Sequence, residues 1–498
     1  MKLIIQGDIN KYYVQTLCMI FFPGATFGED EQESPDNPTL ELRLTPADNG
    51  IYAYAEFRYK DRICSAKKYA EYKGDTPNSK VNKIVTGAAV LAAAGELTGY
   101  RPSWGMLTGV RPSKVATEML QAGISKTRVR KIMTNEYFVI PKKSALATDV
   151  ALNEMKIIGK PDKMDCSAYI SIPFCPTRCA YCSFVSYSSR KLLNLIPDYL
   201  ERLRAELVTM FGTIRRLGLR LRTVYIGGGT PTILTSDQLD TLLGTVAENC
   251  DVSALEEYTL EAGRPDTITA EKLEVATRHG VNRISVNPQT LNNDILAAIG
   301  RAHTAEKFLE AFNIARGTGI RCINTDLIVG LPGDCFQSFS ESFDKILALR
   351  PENITVHTFC VKRAAEIRQS DVYSRYGGDA GKCVDYSQIK SIQAGYKPYY
   401  MYRQKNTVGN YENVGFALDG FEGRYNIYMM EETHSIFAAG AGAVTKLVRY
   451  GGNEAEKSII TRLFNPKYPY EYLAGDRSDD IRQKTEEFYK QYILNAGN

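Results

Sequence analysis

Cys175, Cys179 and Cys182 stand in the run Ile172-Pro173-Phe174-Cys175-Pro176-Thr177-Arg178-Cys179-Ala180-Tyr181-Cys182, spaced C-x3-C-x2-C. Soft thiolates this close in sequence suit an iron–sulfur cluster or zinc. A closed structural zinc site takes four ligands, and no second CxxC or Cys/His pair stands nearby to complete one. Three thiolates on a four-iron cluster leave one iron open to a substrate or cofactor. The plain alternative is a trio of buried structural thiols. It explains less, because the β-forming stretch Ala168-Tyr169-Ile170-Ser171-Ile172 runs straight into the cysteines and sets them on a strand-to-loop junction.

The elements that must position this loop show as a repeated strand-then-helix rhythm between about 166 and 360. β-rich segments at 168–172, 223–226, 258–261, 283–286, 325–329 and 353–357 alternate with amphipathic stretches at 198–217, 236–248, 270–279, 305–316 and 336–349. Six such units predict an α/β fold in which a parallel sheet curls toward a barrel. Six rather than eight implies a partial barrel, open on one side, with a mouth suited to a large substrate. In such sheets ligands gather at the carboxyl ends of the strands.

Polar residues recur at those ends. Gly227-Gly228-Gly229-Thr230-Pro231 follows the strand Val224-Tyr225-Ile226, and glycines there let backbone N–H and C=O groups approach a ligand closely. Glu261 ends the strand Tyr258-Thr259-Leu260, where a carboxylate can accept two hydrogen bonds from a ribose diol. Gln289 lies just past the next strand, and Arg301 and Asp326 come from the two units that follow. Each alone is an ordinary structural residue. Five polar groups on successive strand ends converge on one volume.

The remainder of the chain frames this barrel. With 498 residues the protein is expected to hold more than one domain. Residues 1–160 read as an amino-terminal α+β accessory domain, 161–390 as the barrel, and 391–498 as a small carboxyl-terminal extension closing it. In the front part, Leu40–Leu44 and Ile51–Phe57 alternate with period two around the turn signal Asp48-Asn49-Gly50, and a helical pattern begins at Asn78. Residues 399–406 are a candidate strand extending the sheet. A net charge of +4 gives no ground for a nucleic-acid partner. No apolar run reaches the ~20 residues of a membrane span. Without an export signal, eleven cysteines point to a reducing, cytoplasmic setting, with those outside the trio placed in cores.

Taken together, Tyr169–Cys175, the Gly-Gly-Gly-Thr-Pro segment, Arg301 and Asp326-Leu327-Ile328-Val329-Gly330-Leu331-Pro332 resemble the radical S-adenosylmethionine (SAM) enzymes, and within them the oxygen-independent coproporphyrinogen III oxidase family (HemN/HemW-like). The front domain, with 399–406 and Gly409–Gly415, looks most like its HemZ branch. The resemblance implies a [4Fe–4S] cluster on Cys175, Cys179 and Cys182. It implies SAM bound by Tyr169, Gly228, Gly229, Thr230, Glu261, Gln289, Arg301 and Asp326, with Tyr169 and Gln289 in catalytic positions. It also implies a flavodoxin- or ferredoxin-type electron donor and a tetrapyrrole substrate. In the family's reaction a 5′-deoxyadenosyl radical takes a hydrogen from a propionate β-carbon, and loss of carbon dioxide and of one further electron to an acceptor leaves a vinyl group.

Arg264, Arg403 and Lys405 are candidate partners for substrate carboxylates. Departures from the family pattern are specific. Phe184 and Ser171 replace a cysteine and a histidine of the decarboxylases, and Tyr425-Asn426-Ile427-Tyr428-Met429 lacks the His and Trp of the heme chaperones. Arg301-Ala302-His303 is nearer the chaperones. Three functions are therefore expected to compete: decarboxylation of coproporphyrinogen III, methyl transfer that opens heme, and non-catalytic heme carriage with His303, His357 or His434, or a Cys or Tyr, as axial ligand.

Overall fold

Strands built from period-two alternation organise both halves of the computed structural model, which describes every residue except 29–30, 73, 75–76, 183–185, 361–377, 405–406, 452–457 and 495–498. The chain divides into two compact units. The first contains Met1–Leu152 and Met401–Glu412. The second contains Asn413–Asn498 and the described residues of Asn153–Val372 and Asp379–Tyr400.

In the first unit, strands β1 (Lys2–Gln6), β2 (Thr39–Ala47), β3 (Gly50–Tyr59) and β4 (Arg62–Glu71) form one sheet in that order, with β1 parallel to β2 and the other pairs antiparallel. The Asp48-Asn49 turn sets Ala47 opposite Gly50, as the sequence predicts. Alternation puts Leu40, Leu42, Ala53, Ala55 and Phe57 on the buried face, where they share a core with Leu17, Val85 and Ala89 of helices Lys11–Phe21 and Asn78–Thr98. The Asn10 side chain accepts from Tyr13 N and caps the first of these helices. Strand β4 is absent from the sequence reading because Lys67, Lys68 and its other exposed residues mask the alternation; lysines of this kind are typical of an edge strand.

In the second unit, β5 (Asp165–Ile172), β6 (Arg220–Gly228), β7 (Glu257–Glu261), β8 (Arg283–Ser285), β9 (Cys322–Val329) and β10 (Asn353–Thr358) are parallel neighbours in chain order. This is the six-stranded partial barrel that the sequence predicts. The sheet continues through β12 (Glu412–Ala417), antiparallel to β10, and on to β11 (Lys397–Arg403). Beyond β5 it continues through β13 (Ser435–Ala439), β14 (Val444–Arg449) and β15 (Ile459–Phe464).

The alternation within these strands determines what the barrel can do. One face carries Ala168, Ile170, Val224, Ile226, Leu260, Ile284, Ile323, Leu327, Ile354 and Val356, all buried. The other carries Tyr169, Tyr225, Glu261, Ser285, Asn324, Asp326, Thr355 and His357, which meet one another through hydrogen bonds, ring stacking and the His357–Asp326 contact. Strands of a closed parallel core are apolar on both faces. A polar inner face marks a space built for a ligand.

One expectation needs correction. Cys335 is exposed, so the scattered cysteines are not all core residues. It precedes the helix Phe336–Leu349 as its cap residue, outside the packed face. No helix among the described residues is long and apolar enough to cross a membrane.

Candidate functional site

The cysteine loop leaves β5 at Ile172 and is held from several sides. Cys175 N donates to Tyr187 O at 3.0 Å and Tyr187 N to Pro173 O at 2.9 Å. From the end of β6, Gly229 N donates to Ile172 O and Thr230 N to Phe174 O, each at 2.8 Å. A Cβ on residue 229 would lie 2.6 Å from Phe174 O and 3.0 Å from Cys175 Sγ, so this close approach requires glycine. Thr230 Oγ1 sits 3.3 Å from Cys175 Sγ.

The far side of the loop rests on two buried guanidinium groups. Arg264 donates to Thr177 Oγ1 at 3.0 Å and lies 3.7 Å from Cys179 Sγ, while its other nitrogens grip Asp266 at 2.9 and 3.0 Å. Arg301 donates to Gly263 O at 3.1 Å and to Tyr181 Oη at 3.2 Å. Ala180 N donates to Ile299 O at 3.0 Å. Each thiol therefore has different neighbours, and among the described residues no three His, Cys, Asp or Glu side chains close around a single ion. A cubane differs from one ion in offering each thiolate its own iron.

Inside the barrel, Tyr169 and Tyr225 are cross-strand partners. Their rings stack with Tyr425 from helix Arg424–Glu431, at centroid separations of 6.1 Å (Tyr169–Tyr225), 6.3 Å (Tyr169–Tyr425) and 4.5 Å (Tyr225–Tyr425). The Tyr225 hydroxyl donates to Glu261. Burial pushes the Glu261 carboxyl up to about 7; the Tyr225 bond opposes this and the negative Asp326 adds to it. Burial also works against the Asp326 carboxylate. There, hydrogen bonds from His357 and Asn324 outweigh it and hold the carboxyl below its ordinary range. Asn287 Nδ2 and Asn324 Nδ2 donate to the two Asp326 oxygens, each at 2.8 Å.

Gln289 stands apart in two respects. Its φ of 68° is a left-handed conformation rarely adopted by a long side chain. Its backbone pairs with β9, N to Asp326 O at 3.1 Å and O from Ile328 N at 2.9 Å. Its side-chain oxygen is buried without a hydrogen-bond partner. An orphaned acceptor of this kind costs about 1–3 kcal/mol unless a ligand supplies the donor.

The predicted site residues thus gather in the second unit. Gly229 and Thr230 lie against Cys175, Arg301 supports the loop, and Tyr169, Glu261, Gln289 and Asp326 line the inner face. Tyr225, Tyr425, Asn287 and Asn324 were missed. Asn324 shares the inward period of β9 with Asp326, a signal the sequence carries; Asn287 lies past the end of β8, Tyr225 is out of phase with Gly228 on β6, and Tyr425 gives no such signal. Arg264 and Arg403 are not surface charges but buried, each 4% exposed. Arg403 belongs to the first unit and spends its side chain there, on the Leu107 carbonyl and the Trp104 ring. Lys405 lies outside the described residues. His434 is packed in the core with Nε2 2.8 Å from Ser167 Oγ, and His357 faces Asp326. His303 is buried beside Arg301, and burial with that neighbouring charge brings its pKa down to about 4.

Residues 169–346 match the radical SAM superfamily. The chain is 38% identical over 408 residues to the oxygen-independent coproporphyrinogen-III oxidase-like protein HemZ of Bacillus subtilis, covering 79% of this chain and 80% of that one. It is 33% identical to the heme chaperone HemW of Lactococcus lactis, over 57% of this chain and 71% of the relative. The coproporphyrinogen III oxidase HemN of Escherichia coli superimposes with a TM-score of 0.50 at 20% identity, covering 66% of this chain and 72% of HemN. The chain belongs to the oxygen-independent coproporphyrinogen-III oxidase-like family of radical SAM proteins, which carry a [4Fe–4S] cluster and SAM.

Proposed function

We propose that this protein performs the oxygen-independent oxidative decarboxylation of coproporphyrinogen III to protoporphyrinogen IX. The observation that carries the reading is the polar inner face of the barrel, with the buried Gln289 acceptor still lacking a donor. Cys175, Cys179 and Cys182 would hold the cluster, and Tyr169, Gly228, Gly229, Thr230, Glu261, Gln289, Arg301 and Asp326 would hold SAM. The bound pair supplies one-electron reduction of a sulfonium and, from it, a carbon radical able to remove an unactivated hydrogen.

The chain's own part is positional. The Gly227–Gly229 backbone brings the second strand end against the cysteine loop, leaving no room for a side chain at 229. Glu261, ionised above about pH 7, would accept from a ribose diol. The Gln289 oxygen would accept from the same ligand. Arg264 and Arg301 fix the loop from beneath through Thr177, Tyr181 and Gly263. The three stacked tyrosines, with Tyr225 kept a neutral donor by burial and by Glu261, form a rigid wall that excludes water from the reacting carbon.

A second reading, heme carriage without turnover, has support in the 33% identity to a heme chaperone. Opening of heme by methyl transfer is a third. One experiment separates them. Reconstituted protein is incubated anaerobically with reductant, SAM and either coproporphyrinogen III or heme. Vinyl product with carbon dioxide is the expected result. Tight heme binding without substrate-dependent SAM cleavage, or a methylated open-chain tetrapyrrole, would overturn the proposal.

A further inference from the structure

We propose that the exposed aromatic and basic surface formed by Tyr187, Lys191, Tyr468 and Tyr470 is the docking site of a small acidic electron-carrier protein of the flavodoxin type. The inference rests on the reading of the cysteine loop as a redox centre. Tyr187 is the residue whose backbone brackets that loop, through the bonds to Cys175 and Pro173 described above. Its ring meets Tyr468 at 5.9 Å, and its hydroxyl donates to Lys467 O at 3.2 Å. Four residues on, Lys191 Nζ lies 5.8 Å over the Tyr470 ring. Two parallel contacts therefore join 187–191 to 468–470, and the patch adjoins the cluster loop through a single residue.

Its composition is that of an interface. Tyr468 and Tyr470 are 55% and 45% exposed, where rings of this size are ordinarily covered. Arg178, Arg190, Lys191 and Lys467 are exposed in the same stretches, and Glu471 is the carboxylate that acts on Tyr187 there. Excess positive charge around a small aromatic centre suits brief encounters with an acidic partner, steered by charge and released quickly. In the transfer an anionic flavin hydroquinone loses one electron and becomes the neutral semiquinone. The cluster that Cys175, Cys179 and Cys182 would hold would take up that electron, with no bond formed or broken and no proton moved.

The test uses the full-length reconstituted protein and the charge-reversed variant R190E/K191E/K467E, with a Tyr470→Ser variant as a milder second probe. Cluster bleaching is followed by stopped flow with reduced flavodoxin and, separately, with dithionite. The expected result is about tenfold slower reduction by flavodoxin in the charge-reversed variant, a smaller slowing in Tyr470→Ser, and wild-type rates that fall steeply toward about 0.5 M salt. Reduction by dithionite should stay within about twofold. Equal flavodoxin rates in all three proteins with dithionite reduction intact would overturn the docking site alone. So would binding of anionic vesicles, rather than flavodoxin, that is lost in the same variants. A protein that dithionite cannot bleach at all would overturn the redox reading beneath it as well.

Discussion

Glu206 and Glu261 are both carboxylates of the second unit shielded from water, and they are treated in opposite ways. Glu206, on helix Ile196–Arg216, accepts from Gly440 N at 2.9 Å, Tyr472 Oη at 2.5 Å and Asn465 Nδ2 at 2.6 Å. Around it Tyr199 Oη donates to Ser171 O at 2.7 Å and accepts from Ala441 N at 2.9 Å, and Ser171 Oγ donates to Ala441 O at 2.9 Å. A Cβ at Gly440 would lie 2.6 Å from Ser171 O and from Tyr199 Oη. That region is closed. At Glu261 the Tyr225 hydroxyl and the Gly228 N–H donate while Asp326 repels, and the Gln289 side-chain oxygen of the same site has no donor. At Glu206, where the fold needs rigidity, both carboxylate oxygens are satisfied; at Gln289, where a ligand is to come, an acceptor is left waiting.

The contrast breaks most visibly in stability. Glu206→Ala should cost about 3–5 kcal/mol, because three buried donors lose their acceptor together. Denaturant titration checks this, and Glu206→Gln should recover part of the loss. A cost below about 1 kcal/mol would mean that the network is not closed.

pH gives the next largest effect. The Glu261 carboxyl is raised in the folded protein, so it binds its proton more tightly there than when unfolded. Its contribution to stability is fully present below about pH 4.5 and is lost as pH rises through about 7. Glu261→Gln should therefore gain on the wild type, on the order of 2–3 kcal/mol between about pH 5 and 8, in the ligand-free protein. Thermal or denaturant midpoints across that range would show it.

Affinity follows. Glu261→Gln should weaken SAM binding about tenfold or more at pH 8, where the wild-type carboxylate is ionised, and less at pH 6. The smallest expected effect is at Gln289. Gln289→Asn tolerates the left-handed backbone and shortens the acceptor, so unfolding should change by less than about 0.5 kcal/mol while SAM affinity falls about fivefold. Calorimetric titration reads both variants.

Much of this was legible in the chain alone. The cysteine spacing, the six strands and the Gly-Gly-Gly-Thr-Pro segment are local patterns, and local patterns survive folding. Strand β13 was not legible, since Ser-Ile-Phe-Ala-Ala is too short and too uniformly apolar to distinguish strand from turn, and its parallel pairing with β5 spans some 270 residues. Tyr425 is hidden for the same reason; only tertiary packing brings a late helix against the rings of Tyr169 and Tyr225. Arg403 misled because an arginine near a predicted strand end reads as available for a ligand, whereas here the Leu107 carbonyl takes it. The closed network at Glu206 draws on residues from Ser171 to Tyr472, and nothing in their spacing announces it.

The central claim is that the cysteine loop and the unsatisfied acceptors behind it form a single site for a four-iron cluster and SAM. Electron paramagnetic resonance of the anaerobically reduced, reconstituted protein, recorded before and after SAM is added, tests this most directly. The account predicts the signal of a reduced four-iron cluster that changes shape on adding SAM, with no signal in the Cys175→Ala, Cys179→Ala, Cys182→Ala triple variant. A signal that SAM leaves untouched, or one that persists in the triple variant, would contradict it.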